Sequence, residues 1–160
     1  MRAALLRVQE MNEHTGRTLA LVERMIQDYK AAPREVIEVV EAAKATFDQA
    51  PISIWCKYED GTNVYSNPHY RQTILDYQGE TDLNRWGAKT GGQFRANDTK
   101  AAEDGGLLVH EQGWNPTAGR HEHWWIAKWR QIVTTSTGPR TLVWGVLLST
   151  VVGHGQRPDS

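Results

Sequence analysis

Cysteine is nearly missing from this sequence: Cys56 stands alone among 160 residues. No disulfide can close within the chain, and a single thiol fits a reducing compartment, so the expected location is cytoplasmic. Long apolar runs are missing too. The longest, around Leu142 to Val152, is broken by Gly145, Ser149 and Thr150 and falls short of a bilayer span. At the start, Arg7, Glu10, Asn12 and Glu13 interrupt Met1 to Leu6 before a signal-peptide core forms, so no membrane partner is expected. Charge of one sign is not in excess. Lys and Arg number 18 against 19 Asp and Glu, for a formal net charge of -1, so no bulk field draws nucleic acid or anionic lipid. Also absent are a phosphate-cradling Gly-rich loop, a Gly-x-Ser-x-Gly elbow and a His-Glu-x-x-His pair.

What is present is unevenly spread. Hydrophobic residues make up 39% and charged residues 23%, the balance of a folded globular chain with room for one domain and an appendage. All seven tryptophans (Trp55, Trp86, Trp114, Trp124, Trp125, Trp129, Trp144) follow Ala50, as do nearly all the glycines. Before that point the composition is of helix formers. The chain therefore divides into a helical segment over 1–49, a domain over 50–152 and a polar tail over 153–160.

The helical segment carries a heptad-like seam. Leu5, Val8, Asn12, Thr15, Leu19, Val22, Ile26 and Tyr29 alternate three- and four-residue steps, and after Pro33 the register resumes at Val36, Val40, Ala43 and Phe47. Pro33 splits it into two helices or kinks one. A stripe of this kind packs either on its own domain or on a second copy. The sustained register and Asn12 within the seam favour a homodimer. The interface candidates are Leu5, Val8, Asn12, Leu19, Val22, Ile26, Val36, Val40 and Phe47.

From Ala50 the pattern reads as strand, strand, helices and three strands. Ile52 to Tyr58 is apolar and β-branched, and Asp60-Gly61 turns it into a hairpin. Asn67 caps a helix with Pro68 at its first position, running to about Tyr77. Glu80 to Gly92 reads as irregular. Asn97 or Asp98 caps a further helix to Glu103, closed by Gly105-Gly106. Leu107 to Trp114, His121 to Thr135 and Arg140 to Val152 read as strands joined by Gly/Pro turns. This order gives an α+β domain: a five-stranded antiparallel sheet with a helical crossover on one face.

Several motifs in this stretch share an order with a known family. They are Ala50-Pro51-Ile52-Ser53-Ile54 entering the first strand, Glu59-Asp60-Gly61 at the turn, and Val64-Tyr65-Ser66-Asn67-Pro68-His69-Tyr70 at the strand-to-helix step. Gly79-Glu80-Thr81-Asp82-Leu83, Asn97-Asp98 and Gly145 follow. From about Ala50 to Val152 the chain resembles a PAS domain. That resemblance implies a sensory or interaction module with a small-molecule pocket between helices and sheet, often dimerised by preceding helices. The chain departs from the family at its exit. Where Asp-Ile-Thr is common, Leu148-Ser149-Thr150 stands, followed by a polar tail, so either the effector is a separate protein that docks on this one or the output is lost or unusual.

His121 to Thr135 alternates Trp125, Ala127, Trp129, Gln131 and Val133 with Trp124, Ile126, Lys128, Arg130 and Ile132, which puts large aromatics on both faces. The first row is assigned to the pocket, giving ligand candidates Ile54, Tyr65, Tyr70, Trp125, Trp129 and Trp144. Trp124, in the second row, is assigned to the outer face and the dimer interface. No cofactor is assigned beyond an unidentified small organic ligand. The crossover lacks both the cysteine of flavin-adduct relatives and the helical histidine of haem-binding relatives, so neither group is expected.

Cys56 in an apolar strand reads as a core residue rather than a nucleophile paired with His69 or His110. His121-Glu122-His123, with His110 and Glu111 on the neighbouring strand, reads as an exposed polar cluster rather than a metal site. Trp124 beside Lys128 and Arg130 would suit stacked single-stranded nucleic acid, but the basic excess such a partner needs is missing. Two other readings stay open: a small pocket enzyme drawing on Asp82, Asp98 or His110, and a ligand-free adaptor with a filled core.

Overall fold

The computed structural model describes residues 2–30, 32–155 and 157, with side chains described for 4–20, 32–155 and 157. The chain forms two compact units, Met1–Pro33 and Arg34–Ser160.

The first unit is one helix, α1 (Arg2–Lys30). Leu5, Val8, Met11 and Leu19 are exposed along it, and Asn12 is exposed beside them. The side chains of Val22 and Ile26 lie outside the described residues.

The second unit begins with α2 (Arg34–Phe47), directly after Pro33, so the proline separates two helices. The remaining elements are β1 (Ile54–Tyr58), β2 (Asn63–Ser66), α3 (Pro68–Thr73), α4 (Asp82–Asp104), β3 (Gly106–Asn115), β4 (Arg120–Thr135) and β5 (Gly138–Val152). The strands form one antiparallel sheet in the order β2-β1-β5-β4-β3. This is the expected α+β architecture.

Two elements differ from the expectation. α3 ends at Thr73 rather than Tyr77. The stretch read as irregular is largely helical: Thr81 caps α4, accepting from Asn84 N–H, and the helix continues to Gly105. Asn97 and Asp98 therefore cap nothing. Asp98 sits mid-helix and is 1% exposed, its charge met by lysines from the sheet. The one interruption in α4 is Gly87, with φ 80° and ψ 173°, a conformation suited to glycine. It separates the turn bearing Trp86 from the rest of the helix.

The α3–α4 crossover covers one face of the sheet, called the inner face here. Phe94 and Asp98 of α4 pack there against Trp124, Ile126 and Lys128 of β4. At the middle of this face Trp55 lies across Gly145, where any Cβ would run into the indole. α2 covers part of the opposite, outer face. Val36 is fully buried, and the Phe47 ring meets Trp144 edge-on at 6.2 Å. Val36, Val40 and Phe47, expected in a dimer seam, thus belong to a helix packed on the chain's own sheet.

Asn67 ties these layers together. It is fully buried, and its Oδ1 accepts from the N–H groups of Tyr70 and Ile54, both at 3.1 Å. Its Nδ2 donates to the carbonyls of Phe47 (3.1 Å) and Ile52 (2.7 Å). One side chain so links the end of α2, the start of β1 and the N-terminus of α3. Asn67→Ala is predicted to cost about 3 kcal/mol in urea unfolding, well beyond the ~1 kcal/mol of an exposed cap, because a fully buried side chain loses four bonds, two of them to the buried N–H groups of Ile54 and Tyr70. A cost of ~1 kcal/mol or less would show that the site matters only as a cap.

Candidate functional site

The inner face of the sheet and the crossover enclose a cavity of about 20 Å³, room for roughly one water molecule. Six aromatic side chains form most of its wall: Trp55, Tyr70, Tyr77, Trp86, Phe94 and Trp124. Ile74, Ile126 and Leu147 complete the apolar part, while Lys57 and Glu111 supply charge. The rings meet edge-on or tilted. Trp86 sits 5.4 Å from Phe94 at 79° and 6.0 Å from Tyr77 at 89°, and Trp55 sits 5.1 Å from Tyr70. The indole N–H of Trp86 is buried without a hydrogen-bond partner, so a water or a ligand acceptor would satisfy it.

One end of the cavity is a buried ionic network. Lys57 of β1 bonds Asp82 at 2.9 Å and Asp98 at 3.2 Å; Lys128 of β4 bonds Asp98 and Glu111, both at 2.6 Å. None of the five is more than 3% exposed. Tyr77 donates to Asp82 at 2.9 Å, and Asn97 donates to Glu111 Oε2 at 3.0 Å. The network joins β1, β3, β4 and both ends of the Gly87 break.

Its groups titrate away from their ordinary values. Burial would lower Lys57, but Asp98, Tyr77, Asp82 and Glu111 outweigh it and hold the ammonium well above the usual lysine range. For Asp98, burial is outweighed by Lys57 and Lys128, which keep the carboxyl below the usual aspartate range. Asp82 goes the other way: burial raises it more than Lys57 lowers it. Tyr77 is pushed up to about 12, mainly by burial, and remains a donor.

The two tryptophan rows of β4 are exchanged relative to the sequence expectation. Trp124, expected outside, lines the cavity beside Ile126 and Lys128. Trp125 and Trp129, expected inside, lie on the outer face with 46% and 36% exposure. The reason is charge. Lys128 and Glu122 share a row with Trp124, and both are buried because they have partners: Asp98 and Glu111 for Lys128; Asn115, Arg120 and the Trp124 indole for Glu122. Of the other pocket candidates, only Tyr70 reaches the wall. Trp144 stacks on Trp129 on the outer face at 6.2 Å and 10°, with Tyr65 nearby, and Ile54 shares the outward parity of Cys56 and Trp144.

His110, His121 and His123 gather on the outer face. His110 Nε2 and His123 Nδ1 are 2.8 Å apart with their rings stacked, while Glu111 and Glu122 point to the inner side. Among the described residues no group of three such side chains is placed to hold a metal ion. Cys56 is fully buried and burial pushes its thiol well up, while His69 bonds Ser53 at 2.9 Å. Asp82 and Asp98 are held by lysines, with His110 across the sheet from them. Lys57, Trp55, Trp86 and Phe94 were not singled out in the sequence as site residues, and Glu111, read there as part of an exposed polar cluster, is buried at the cavity. A lysine inside the apolar run Ile54 to Tyr58 was the available signal.

Removing a partner from this network strands buried charge. Asp98→Asn is predicted to cost about 3–5 kcal/mol near neutral pH. Because the folded value of Asp98 is depressed, its contribution is present above about pH 4 and lost as pH falls through that folded value. Asp82 has the opposite sign, its contribution falling as pH rises through its raised value. The thermal stability of wild type should therefore fall below about pH 4, and Asp98→Asn should flatten that branch. An unchanged acid branch in the variant would show that Asp98 does not set it.

No family model and no curated protein sequence matches the chain. Solved structures do. A structure of VqmA bound to DPO is similar at 23% identity with a TM-score of 0.51, over 68% of this chain and 57% of that one. The Vibrio cholerae VqmA dimer without its target DNA is similar at 24% identity and a TM-score of 0.51, over 68% and 52%. The PAS domain of Bordetella pertussis BvgS follows at 17% identity and a TM-score of 0.49, over 74% and 88%. The matched region thus spans little more than half of the VqmA chains. At these identities the VqmA likeness shows the fold alone. With its five antiparallel strands in the order β2-β1-β5-β4-β3 and a helical crossover on one face, the chain adopts a PAS-like fold.

Proposed function

We propose that the chain is a sensory module that binds a small molecule in the aromatic cavity and passes the bound state to its N-terminal helices as a homodimer. The observation that carries this reading is the cavity itself: six aromatic side chains around a buried charged end, between crossover and sheet. Pockets of this composition, apolar with a few convergent polar groups, suit small-molecule binding. Its present volume is far below that of a drug-sized site, so a ligand must displace part of the wall. Trp86, on the short turn before Gly87, is the element best placed to give way.

The route to the helices runs through alternation in the strands. On β1, Trp55 and Lys57 meet the cavity while Cys56 between them faces outward, and on β5 Gly145 lies under Trp55 while Trp144 meets Phe47 of α2. Shifting Trp55 or Lys57 therefore alters the surface that grips α2. The state favoured by ligand is the one whose sheet and α2 pack best together. For α1, the exposed Leu5, Val8 and Leu19 along one stripe suit pairing with a second copy. The VqmA structures name a dimer and bound DPO for that protein, which fits this proposal.

The small cavity favours a second reading, an interaction module whose core is already filled. Native mass spectrometry of freshly purified full-length protein separates the two. The sensor reading expects a dimer retaining a non-covalent small molecule, and an unliganded dimer supports the filled-core module. Leu5→Glu with Leu19→Glu should convert the dimer to monomer with an unchanged near-ultraviolet tryptophan signal. A wild type that is monomeric at tens of micromolar would end the homodimer proposal.

A further inference from the structure

The network at the cavity end does not balance its charge. Asp82, Asp98 and Glu111 carry three potential negative charges against the two positive charges of Lys57 and Lys128, all within 4 Å contacts and all at most 3% exposed. A buried excess charge is costly unless a proton or a counter-charge meets it. The bonds show which carboxylate oxygen is left without a partner. Asp98 has both lysines, and Asp82 has Lys57 and the Tyr77 hydroxyl. Glu111 has its two partners, Lys128 and Asn97, on the same oxygen, Oε2. Its Oε1 accepts no hydrogen bond among the described residues, although Glu111 is 2% exposed and lines the cavity.

An unpartnered carboxylate oxygen facing a space walled by indole, phenol and phenyl rings has a defined complement. Ring faces attract cations, and a carboxylate accepts strongly from a charged N–H. Lys57 already shows the first interaction inside this wall, with its ammonium 5.4 Å from the centre of the Phe94 ring. Lys57 does not repel a second cation as a free ammonium would, because two carboxylates lie within 3.2 Å of it.

We infer that the cavity takes a small organic cation with a primary ammonium or equivalent N–H donor, which bonds Glu111 Oε1 while its body packs among the aromatic rings. This rests on the proposed ligand-binding reading and specifies its chemistry. Glu111 is then the specificity residue, and Trp86 is the group the ligand moves. Cation binding offsets the formal excess of one carboxylate over the two lysines.

The test uses three probes of similar size and differing charge: benzylammonium, benzyl alcohol and benzoate. Calorimetry and tryptophan fluorescence on the full-length protein read their affinities. Benzylammonium is expected to bind at least about tenfold more tightly than the other two, the least that one charge-assisted bond supplies. Glu111→Gln should bring benzylammonium down to the level of benzyl alcohol. Equal or tighter binding of benzyl alcohol or benzoate overturns the cation assignment while leaving a ligand site standing. Failure of all three to bind at millimolar concentration overturns it too, and a retained small molecule in native mass spectrometry then shows whether the site itself survives. The wild-type comparison decides the matter even if Glu111→Gln does not fold.

Discussion

The structure depends on burying two lysines and three carboxylates together between helix and sheet. Each would be costly there alone, since isolated charges in a protein interior lose several kcal/mol of solvation. Together they bond one another, with Asp98 placed between Lys57 and Lys128. This arrangement brings α4 onto β1 and β4 at a fixed height, and the cavity is the space left between that polar clamp and the aromatic wall. Apolar residues of similar volume would often hold the layers at least as well. Charges at one end of the cavity are what the proposed ligand site would use, beyond any part in stability.

The sheet acts as a thin partition between that cavity and α2. Side chains alternate across it, so neighbours in sequence serve opposite layers. Trp55 and Cys56, Trp124 and Trp125, Trp144 and Gly145 each divide this way. Trp129 and Trp144 stack on the outer side, and Phe47 closes against Trp144 from α2. Few atoms lie between the cavity wall and the helix. The proposed sensory role would use this short path between cavity and helix.

Much of this was legible in the sequence, and the losses have physical causes. Asp60-Gly61, Asn67-Pro68 and Gly105-Gly106 mark a hairpin, a helix start and a helix stop because their backbone preferences are local. Each stands where it was expected. Gly87, Gly91 and Gly92 lower helix propensity enough that the first half of α4 read as irregular, yet burial of Asp82 and Phe94 keeps both sides of the Gly87 break helical. Choosing the inner row of β4 failed for a different reason. A row holding Lys128 and Glu122 looks solvated until its partners are known, and those partners come from α4 and β3, far away in the chain. Ordinary periodicity carries no record of such pairings. The charged end of the site was therefore hidden, while the aromatic supply for its wall was plain.

The claim that the ionic network acts as one clamp is open to a double-mutant cycle on Asp98 and Lys128. Asp98→Leu, Lys128→Met and the double variant would each be unfolded in urea. The account predicts that the double variant is less destabilised than the sum of the singles by at least about 1 kcal/mol, because removing both partners leaves less buried charge stranded. Additive effects would contradict it, showing that the two residues contribute independently and that the cavity's charged end is not a single unit.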